Sequence, residues 1–416
     1  MRLNPFRALR PDPKVAARVA SPPYDVVSRG EAAELAKDNP LSFFHIVRSD
    51  IDLPEDVEPH DARVYLKARE NLDRLVRQGA LLREPRPSLY LYRLVMDGRA
   101  QVGVVGCVHV GDYERGVIKK HETTRPDKED DRTRHILTLA AHAEPVLLAH
   151  RGSAEIDRLT AAGIETRPLY DFTAAGGVRH TVWPVADPAP YVDAFGAVPC
   201  AYVADGHHRS ASAGRAARQR RGDDDPGRRA SEEHEWFLAA LFPAGQLRIL
   251  PYNRVIADLG GQTPGEVLGK LRKIGRLSIA GTPVPPRPGS FCVYLERRWR
   301  LLELAESSID RRDALCSLDV ALLQERVLAP VLGVGDPRTD KRIDFVGGLR
   351  GTGELEVRVD SGEAALAVSL YPTTVEQLMA VSDAGDVMPP KSTWFEPKLA
   401  SGLFVHTIDY HSPEGR

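Results

Sequence analysis

Cysteine is scarce: Cys107, Cys200, Cys292 and Cys316 are the only four in 416 residues, far apart and without a CxxC pair. That excludes a disulfide framework and a thiolate zinc site, and it fits a reducing compartment, so a cytoplasmic location is expected. Long apolar runs are absent. None approaches the roughly 18 residues of a membrane span, and the opening "MRLNPFRALRPDPKVA" lacks the apolar core of a signal peptide. No membrane partner is expected. Net charge is nearly absent as well: 56 basic residues face 58 acidic ones. This removes the bulk electrostatic reason to bind nucleic acid. Lysine is thin, with 11 of the 56 basic residues. Six of the 11 fall in three short polar stretches: Lys119, Lys120 and Lys128, then Lys341, then Lys391 and Lys398. Sites that need a compact ammonium on a flexible stem would give this pattern, and so would chance.

What is present is ordinary for a globular chain, 42% hydrophobic and 27% charged, and long enough for two or three domains. Ser28 with Glu31 three residues on reads as a capping box opening a helix that ends before Pro40. "LSFFHIVR" reads as a strand, and residues 60–80 as a helix stopped by Gly79. The stretch "SLYLYRLVMDGRAQVGVVGCVHVGDY" alternates around Asp97-Gly98, a hairpin signal. Strands and helices then alternate to "CAYVA". The charged stretch "RRGDDDPGRRASEE" reads as an exposed loop. "HEWFLAALFPA" and "LRILPYNRVIADL" read as closing strands of a first unit, residues 1–258. The pattern restarts in 259–416 with a helix at "TPGEVLGKLRKI", a hairpin, the helix "DVALLQERVLAPVLG", strands "LEVRVDSG" and "AALAVSLYP", and the helix "TVEQLMAVSDAG". The expected fold class is α/β followed by α+β.

The chemistry concentrates in "CAYVADGHHRSASAGRAARQ", which reads as strand, tight turn, helix. Gly206 permits a turn closed to other residues. The helix that follows exposes unpaired N–H groups and a positive dipole end, where anions bind. Arg209 offers a fork that matches phosphate. His207 and His208 can donate hydrogen bonds or take a proton near neutral pH. Asp205 could fix a histidine tautomer, coordinate Mg²⁺ or cap the helix, and a plain N-cap with surface polar residues fits the same letters. No metal site is assigned, because adjacent histidines project in different directions.

Three further blocks have similar character. "GVIKKHETTRPDKEDDRTRH" carries Glu122 and Arg125. Glu122 beside basic groups suits a general base, with Asp127, Glu129 and His207 as competitors. "SPPYDVV" makes a rigid segment with Tyr24 and Asp25. "DPRTDKRIDFVGG", with Lys341 and Arg342, and "MPPKSTWFEPKLASGL", with Lys391, Ser392 and Thr393, read as irregular loops of the kind that cover a site.

Taken together, "PPYDVV", "NPLSFFHIVR", "KKHETTRPDKEDDR", "YVADGHHR", "RTDKRIDFVGG" and "YPTTVEQLMAVSDAGDVMPPKSTWFEPKL" resemble the bacterial and archaeal family DUF1015 along essentially the whole chain. The "DGHHR" block also resembles the ParB/sulfiredoxin-like superfamily, in which a Gly-x-x-Arg turn at a helix start holds nucleotide phosphates. Sulfiredoxin has Gly-Cys-His-Arg there. Gly206-His207-His208-Arg209 puts histidine in place of the thiol, which excludes sulfiredoxin's chemistry at this position. No Gly-Glu-Arg-Arg box and no basic helix-turn-helix segment accompany it, unlike ParB. Free serine kinases have a similar Asp-Gly-x-x-Arg turn and a glutamate base, although here the Glu122 block precedes the turn.

The resemblance implies a ParB/sulfiredoxin-like first unit and a nucleotide-dependent phosphotransferase acting on a small hydroxy amino acid. Asp205, Gly206, His207, His208, Arg209 and Arg125 would hold phosphates, with Glu122 or His207 catalytic. Tyr24, Asp25, Lys341, Arg342, Lys391, Ser392 and Thr393 would contact substrate or close over it. ATP or ADP with Mg²⁺ is the expected cofactor. The expected partners are the nucleotide and the small substrate, with a homodimer allowed and no nucleic acid. A nucleotide sensor without turnover, and a scaffold whose polar blocks are interface loops, are the competing readings.

Overall fold

The computed structural model describes residues 1–222 and 232–409. Most of the expected loop "RRGDDDPGRRASEE" therefore lies outside the described residues. The chain forms two compact units. The first comprises Met1–Lys120, Thr124–Leu247 and the segment from Pro397 onward; the second comprises His121–Thr123 and Arg248–Glu396. Among the described residues, no helix is long and apolar enough to cross a membrane.

The first unit is mixed α/β. Its sheet holds β1 (Leu3–Asn4), β2 (Tyr90–Met96), β3 (Arg99–His109), β4 (Ile118–Lys119), β5 (Val146–His150), β6 (Tyr170–Thr173), β7 (Arg179–Pro184), β8 (Ala201–Asp205) and β9 (Trp236–Pro243). Their spatial order is β4-β8-β5-β9-β3-β2-β7-β6, with β1 added on β3. The β2–β3 hairpin turns at Asp97-Gly98, both at positive φ (52° and 74°), as a two-residue primed turn requires. β8 runs parallel to β4 and antiparallel to β5, and β5 runs parallel to β9. The sheet is thus mixed, and its central strands are buried nearly end to end. Leu91, Val104, Leu148, Val203, Phe237 and Leu241 meet in its core.

The unit's longer helices are α1 (Arg29–Ala36), α2 (Ala62–Arg77), α3 (Pro126–Leu139), α4 (Ala154–Gly163) and α5 (His207–Arg221), of which α1 and α2 bury Ala32, Ala36, Ala68 and Leu72 in a second core with Phe43, Phe44 and Leu139. The Ser28–Glu31 capping box opens α1 as expected. α2 buries Val64, Tyr65, Ala68, Leu72 and Leu75 at helical spacing. Each large apolar side chain so buried contributes about 1.5–3 kcal/mol. "LSFFHIVR" is a correction: Phe44–Val47 is a short helix, followed by a 3-10 turn at Ser49–Asp52. Phe43, Phe44, Ile46 and Val47 are all buried, and an apolar run buried on every side has no period that separates helix from strand.

The second unit is α+β. Its sheet holds β10 (Tyr252–Ile256), β11 (Gly275–Ile279), β12 (Ser290–Leu295), β13 (Arg298–Leu304), β14 (Ile343–Gly347) and β15 (Leu366–Leu370), in the order β11-β13-β12-β15-β10-β14. Every pairing is antiparallel. α6 (Pro264–Ile274), α7 (Gly351–Asp360) and α8 (Val375–Ala384) complete it, α6 and α8 each opened by a capping box. Two expectations fail here. "PYNRVIADL" does not close the first unit: β10 is an inner strand of the second sheet, between β15 and β14. "LEVRVDSG" is not a strand but most of α7. Its alternating Leu355, Val357 and Val359 mimic a strand, yet Leu355 is buried while Val357 is 63% exposed. Leu355, with the partly buried Val359, packs into the core of this unit, while Val357 points away from it.

Asp319, 6% exposed, opens the helix Asp319–Leu323 and accepts the Gly289 N–H at 2.7 Å. Burial pushes its carboxyl up to about 7, and the Gly289 N–H and the Arg311 charge only partly oppose that. An acid raised in the folded state costs stability as it ionises. The cost therefore grows as pH rises from the unfolded value near 4 through 7. Asp319→Asn is expected to gain stability over the wild type at pH 8, by at most about 4 kcal/mol for a shift of roughly three units. The gain should shrink at pH 5, and thermal melts at both values check it.

Candidate functional site

In the first unit, β8 carries a register irregularity between Val203 and Asp205 against β5. A bulge there re-aims the strand end. Gly206 follows at φ 101°, ψ 35° and launches α5 directly from His207. The strand-turn-helix expected at "YVADGHHR" is in place. α5 can lie close because its packed face is small: Ser210, Ser212, Ala213, Gly214, Ala216 and Ala217 are buried.

The side chains at the turn are heavily engaged. Arg209, 8% exposed, donates from Nη2 to Asp205 Oδ2 at 2.8 Å and from Nη1 to the Pro145 carbonyl. Lys398 Nζ donates to the other Asp205 oxygen at 3.3 Å. Burial pushes the Asp205 carboxyl up, but Lys398 and then Arg209 outweigh it and hold the group well below the usual carboxylate range. Two expectations change accordingly. The Arg209 fork is spent on the protein's own carbonyl and carboxylate, leaving Nε. Asp205, with each oxygen in an ion pair, is anchored in place rather than presented to Mg²⁺.

His207 is buried, and His208 is half-buried. The Arg125 N–H donates to His208 Nε2 at 3.1 Å. A neutral imidazole that accepts at Nε2 carries its proton on Nδ1, ready to donate. Burial lowers the pKa of His208 and so favours that neutral form, although the charge of Asp25 opposes it. The Arg125 side chain is exposed and chelates Asp127 at 2.7 and 3.1 Å. Glu129 is paired with Arg215 and accepts from Thr124. Two of the competitors for general base, Asp127 and Glu129, are thus tied to arginines.

Tyr24 and Asp25 do reach this turn. The charge of Asp25 acts on both His208 and Arg209. The Tyr24 ring lies 4.2 Å from the Arg132 guanidinium, and its N–H donates to Glu144 Oε1 at 3.2 Å. Burial, then Asp25, pushes the Tyr24 phenol far up, so it stays protonated. Arg132 and Glu144 were not singled out from the sequence. Arg132 sits inside a charge run that reads as a solvated face. Glu144, a lone carboxylate just ahead of the apolar β5, was the available signal.

The remaining sequence candidates lie in the second unit. The His121 carbonyl accepts the Met388 N–H at 2.8 Å, and His121 Nε2 lies 3.4 Å from Thr393 Oγ1. The segment carrying Glu122 is therefore joined to the loop carrying Lys391, Ser392 and Thr393. Lys391, at φ 59°, places its ammonium 5.5 Å from the Tyr252 ring centre, and its carbonyl accepts from the buried Arg254 at 3.0 Å. Ser392 is buried and bonds the Pro389 carbonyl. Trp394 packs on Gly347 so closely that a Cβ there would come within 2.5 Å of its ring, which accounts for the first glycine of "DFVGG".

Lys341 and Arg342 do not join this loop. β14 pairs Gly347 with Tyr252 and Ile343 with Ile256, so Arg342, which precedes Ile343, is at the opposite end, about 17 Å from Gly347 along the chain. Arg342 braces its own surroundings, bonding the Leu332 and Gly333 carbonyls, Asp258 and Asp340.

The family model described as "Protein of unknown function (DUF1015)" matches residues 3–321. No curated protein matches the chain in sequence. Solved structures with some similarity to the chain include a free serine kinase in complex with AMP, at 13% identity and TM-score 0.35, covering 72% of this chain and 92% of that one. Another is SbnI with a C-terminal truncation from Staphylococcus aureus, at 13% identity and TM-score 0.39, covering 73% and 87%. A third is a conserved hypothetical protein from Pyrococcus furiosus, at 13% identity and TM-score 0.32, covering 72% and 95%.

Proposed function

We propose that this chain, which belongs to the DUF1015 family, whose description supplies no activity, is a nucleotide-dependent phosphotransferase acting on a small hydroxy amino acid. The observation that carries this reading is the left-handed Gly206 turn. It starts α5 at the end of a buried strand, and no side chain caps the first N–H groups of the helix. Such a helix start favours phosphate oxygens. The residue order Asp205-Gly206-His207-His208-Arg209 also matches the phosphate turn of ParB/sulfiredoxin-like proteins.

In this reading the N–H groups and His208 Nδ1 hold the phosphates, and Asp205, Lys398 and Arg209 keep the turn rigid. Mg²⁺ arrives on the nucleotide. The acceptor's hydroxyl oxygen bonds the terminal phosphorus as the bond to the bridging oxygen breaks, and the shorter nucleotide leaves. The hydroxyl proton goes to a base, Glu122 by first choice and His207 by second.

The test is to incubate the pure protein with Mg²⁺, ATP or ADP, and serine, threonine or homoserine, and to follow phosphorus by NMR. A phosphomonoester resonance that depends on the amino acid is expected. Glu122→Gln should lower its rate about 10²–10⁴-fold, the usual worth of a general base. A rate equal to the wild type in the folded variant would pass the role to His207. Nucleotide binding without any product would replace the enzyme by a sensor.

A further inference from the structure

Beside the turn, the first unit contains a partly open cavity of about 30 Å³, lined by Arg132, His135, His142, Glu144, Arg209 and Phe237 among others. Its chemistry is unusual for so small a space. Arg132 Nη1 and Arg209 Nε are buried and make no hydrogen bond among the described residues. The remaining nitrogens of both guanidiniums are occupied: Arg132 holds Asp131 at 2.7 and 2.8 Å, and Arg209 holds Asp205 and Pro145. Two cationic N–H groups are thus left over, on two arginines that line the same cavity. Glu144 faces them from the opposite sign, fixed at Oε1 by Ser401 Oγ at 2.7 Å and by the Tyr24 N–H at 3.2 Å. His135 and His142 are kept neutral, their pKa values lowered by burial to about 4 and about 3, so they add no charge.

A lone anion would meet Glu144, and a lone cation would meet two arginines. A ligand carrying both signs a short distance apart satisfies all three. The volume allows roughly two water-sized groups, since one water needs about 10–15 Å³. That is room for the ammonium and one carboxylate oxygen, with the rest of the ligand extending through the open side.

We infer that this cavity binds the zwitterionic end of an α-amino acid, its carboxylate on the guanidiniums of Arg132 and Arg209 and its ammonium on Glu144. The inference rests on the proposed function, for which it locates the acceptor. It makes the protein selective for amino acids over hydroxy acids and amino alcohols.

Calorimetry without nucleotide tests it, because it needs no turnover. L-serine is compared with D-glycerate, which lacks the ammonium, and ethanolamine, which lacks the carboxylate. Serine should bind at least tenfold more tightly than either. Glu144→Gln, which keeps the shape, should erase serine's advantage over glycerate. Equal binding of the three compounds, no binding of serine at millimolar concentration, or an unchanged preference in a folded Glu144→Gln protein would overturn the assignment. Selective serine binding without phosphoryl transfer would leave the cavity assigned and remove the kinase. Transfer to glycerate as fast as to serine would do the reverse.

Discussion

Replacing Arg209 with alanine is expected to cost the first unit about 3–5 kcal/mol, the range for breaking a buried ion pair from one side. The guanidinium is buried and clamped between the Asp205 carboxylate and the Pro145 carbonyl. Its loss leaves the carbonyl unpaired and leaves Asp205 with Lys398. The pH dependence follows from the direction of the Asp205 shift. A carboxyl held below its unfolded value contributes stability that is present above about pH 4 and is lost as pH falls through the depressed folded value. Without Arg209 less opposes the effect of burial, so the folded pKa rises, the contribution shrinks and its loss is complete at a higher pH. Denaturant titrations at pH 7 and pH 4 measure both effects. Arg209→Lys keeps the charge but not the two-armed reach, and should recover only part of the stability. A variant with alanine within 1 kcal/mol of the wild type would mean that Arg209 does not brace the turn.

That expectation could not be drawn from the letters. "DGHHR" announces a turn, a helix start and an arginine, and from these the bidentate phosphate fork is the natural reading. Which way the guanidinium points depends on Pro145, which is 64 residues away in the sequence, and on Lys398, 193 residues from Asp205. Local signals elsewhere were legible because their causes are local. The Ser28–Glu31 box, the Asp97-Gly98 turn and the Thr263–Glu266 box each act within four residues. Readings failed where tertiary burial overrode the pattern. Phe43, Phe44, Ile46 and Val47 are all buried and lose their period, and α7 hides behind an alternation in which only Leu355 is fully buried. The same limit explains the site. Tyr24, Asp25 and the Arg209 turn were all visible as odd, rigid polar blocks. Arg132 and Glu144 were not, because a charge run and a lone glutamate look like solvated surface until the fold closes around them.

Gly206→Ala is the sharper probe of the turn, since it removes nothing and adds one carbon. At φ 101° a side chain is strained whatever the space, at a cost of about 1–3 kcal/mol for a sparsely populated conformation. The space is also short. A Cβ would lie 3.0–3.2 Å from the Arg209 guanidinium, which elsewhere would swing away but here is held by Asp205 and Pro145. Relief must come either from the arginine, breaking the clamp, or from the backbone, rotating the first N–H groups of α5. The expected result is a stability loss of about 2–4 kcal/mol, combining that strain with part of the cost of the ion pair. Nucleotide affinity should also fall at least tenfold, measured by calorimetry under conditions where the variant is folded. Gly214→Ala in the same helix is the control. Its Cβ would meet only ordinary contacts at 3.9 Å from Tyr113 and Val110. Alanine there should gain about 0.5–1 kcal/mol, the helix preference over glycine, and leave nucleotide affinity unchanged. If both variants bind nucleotide like the wild type, the anion does not sit at the Gly206 turn. If both lose affinity, the effect belongs to the packing of α5 as a whole.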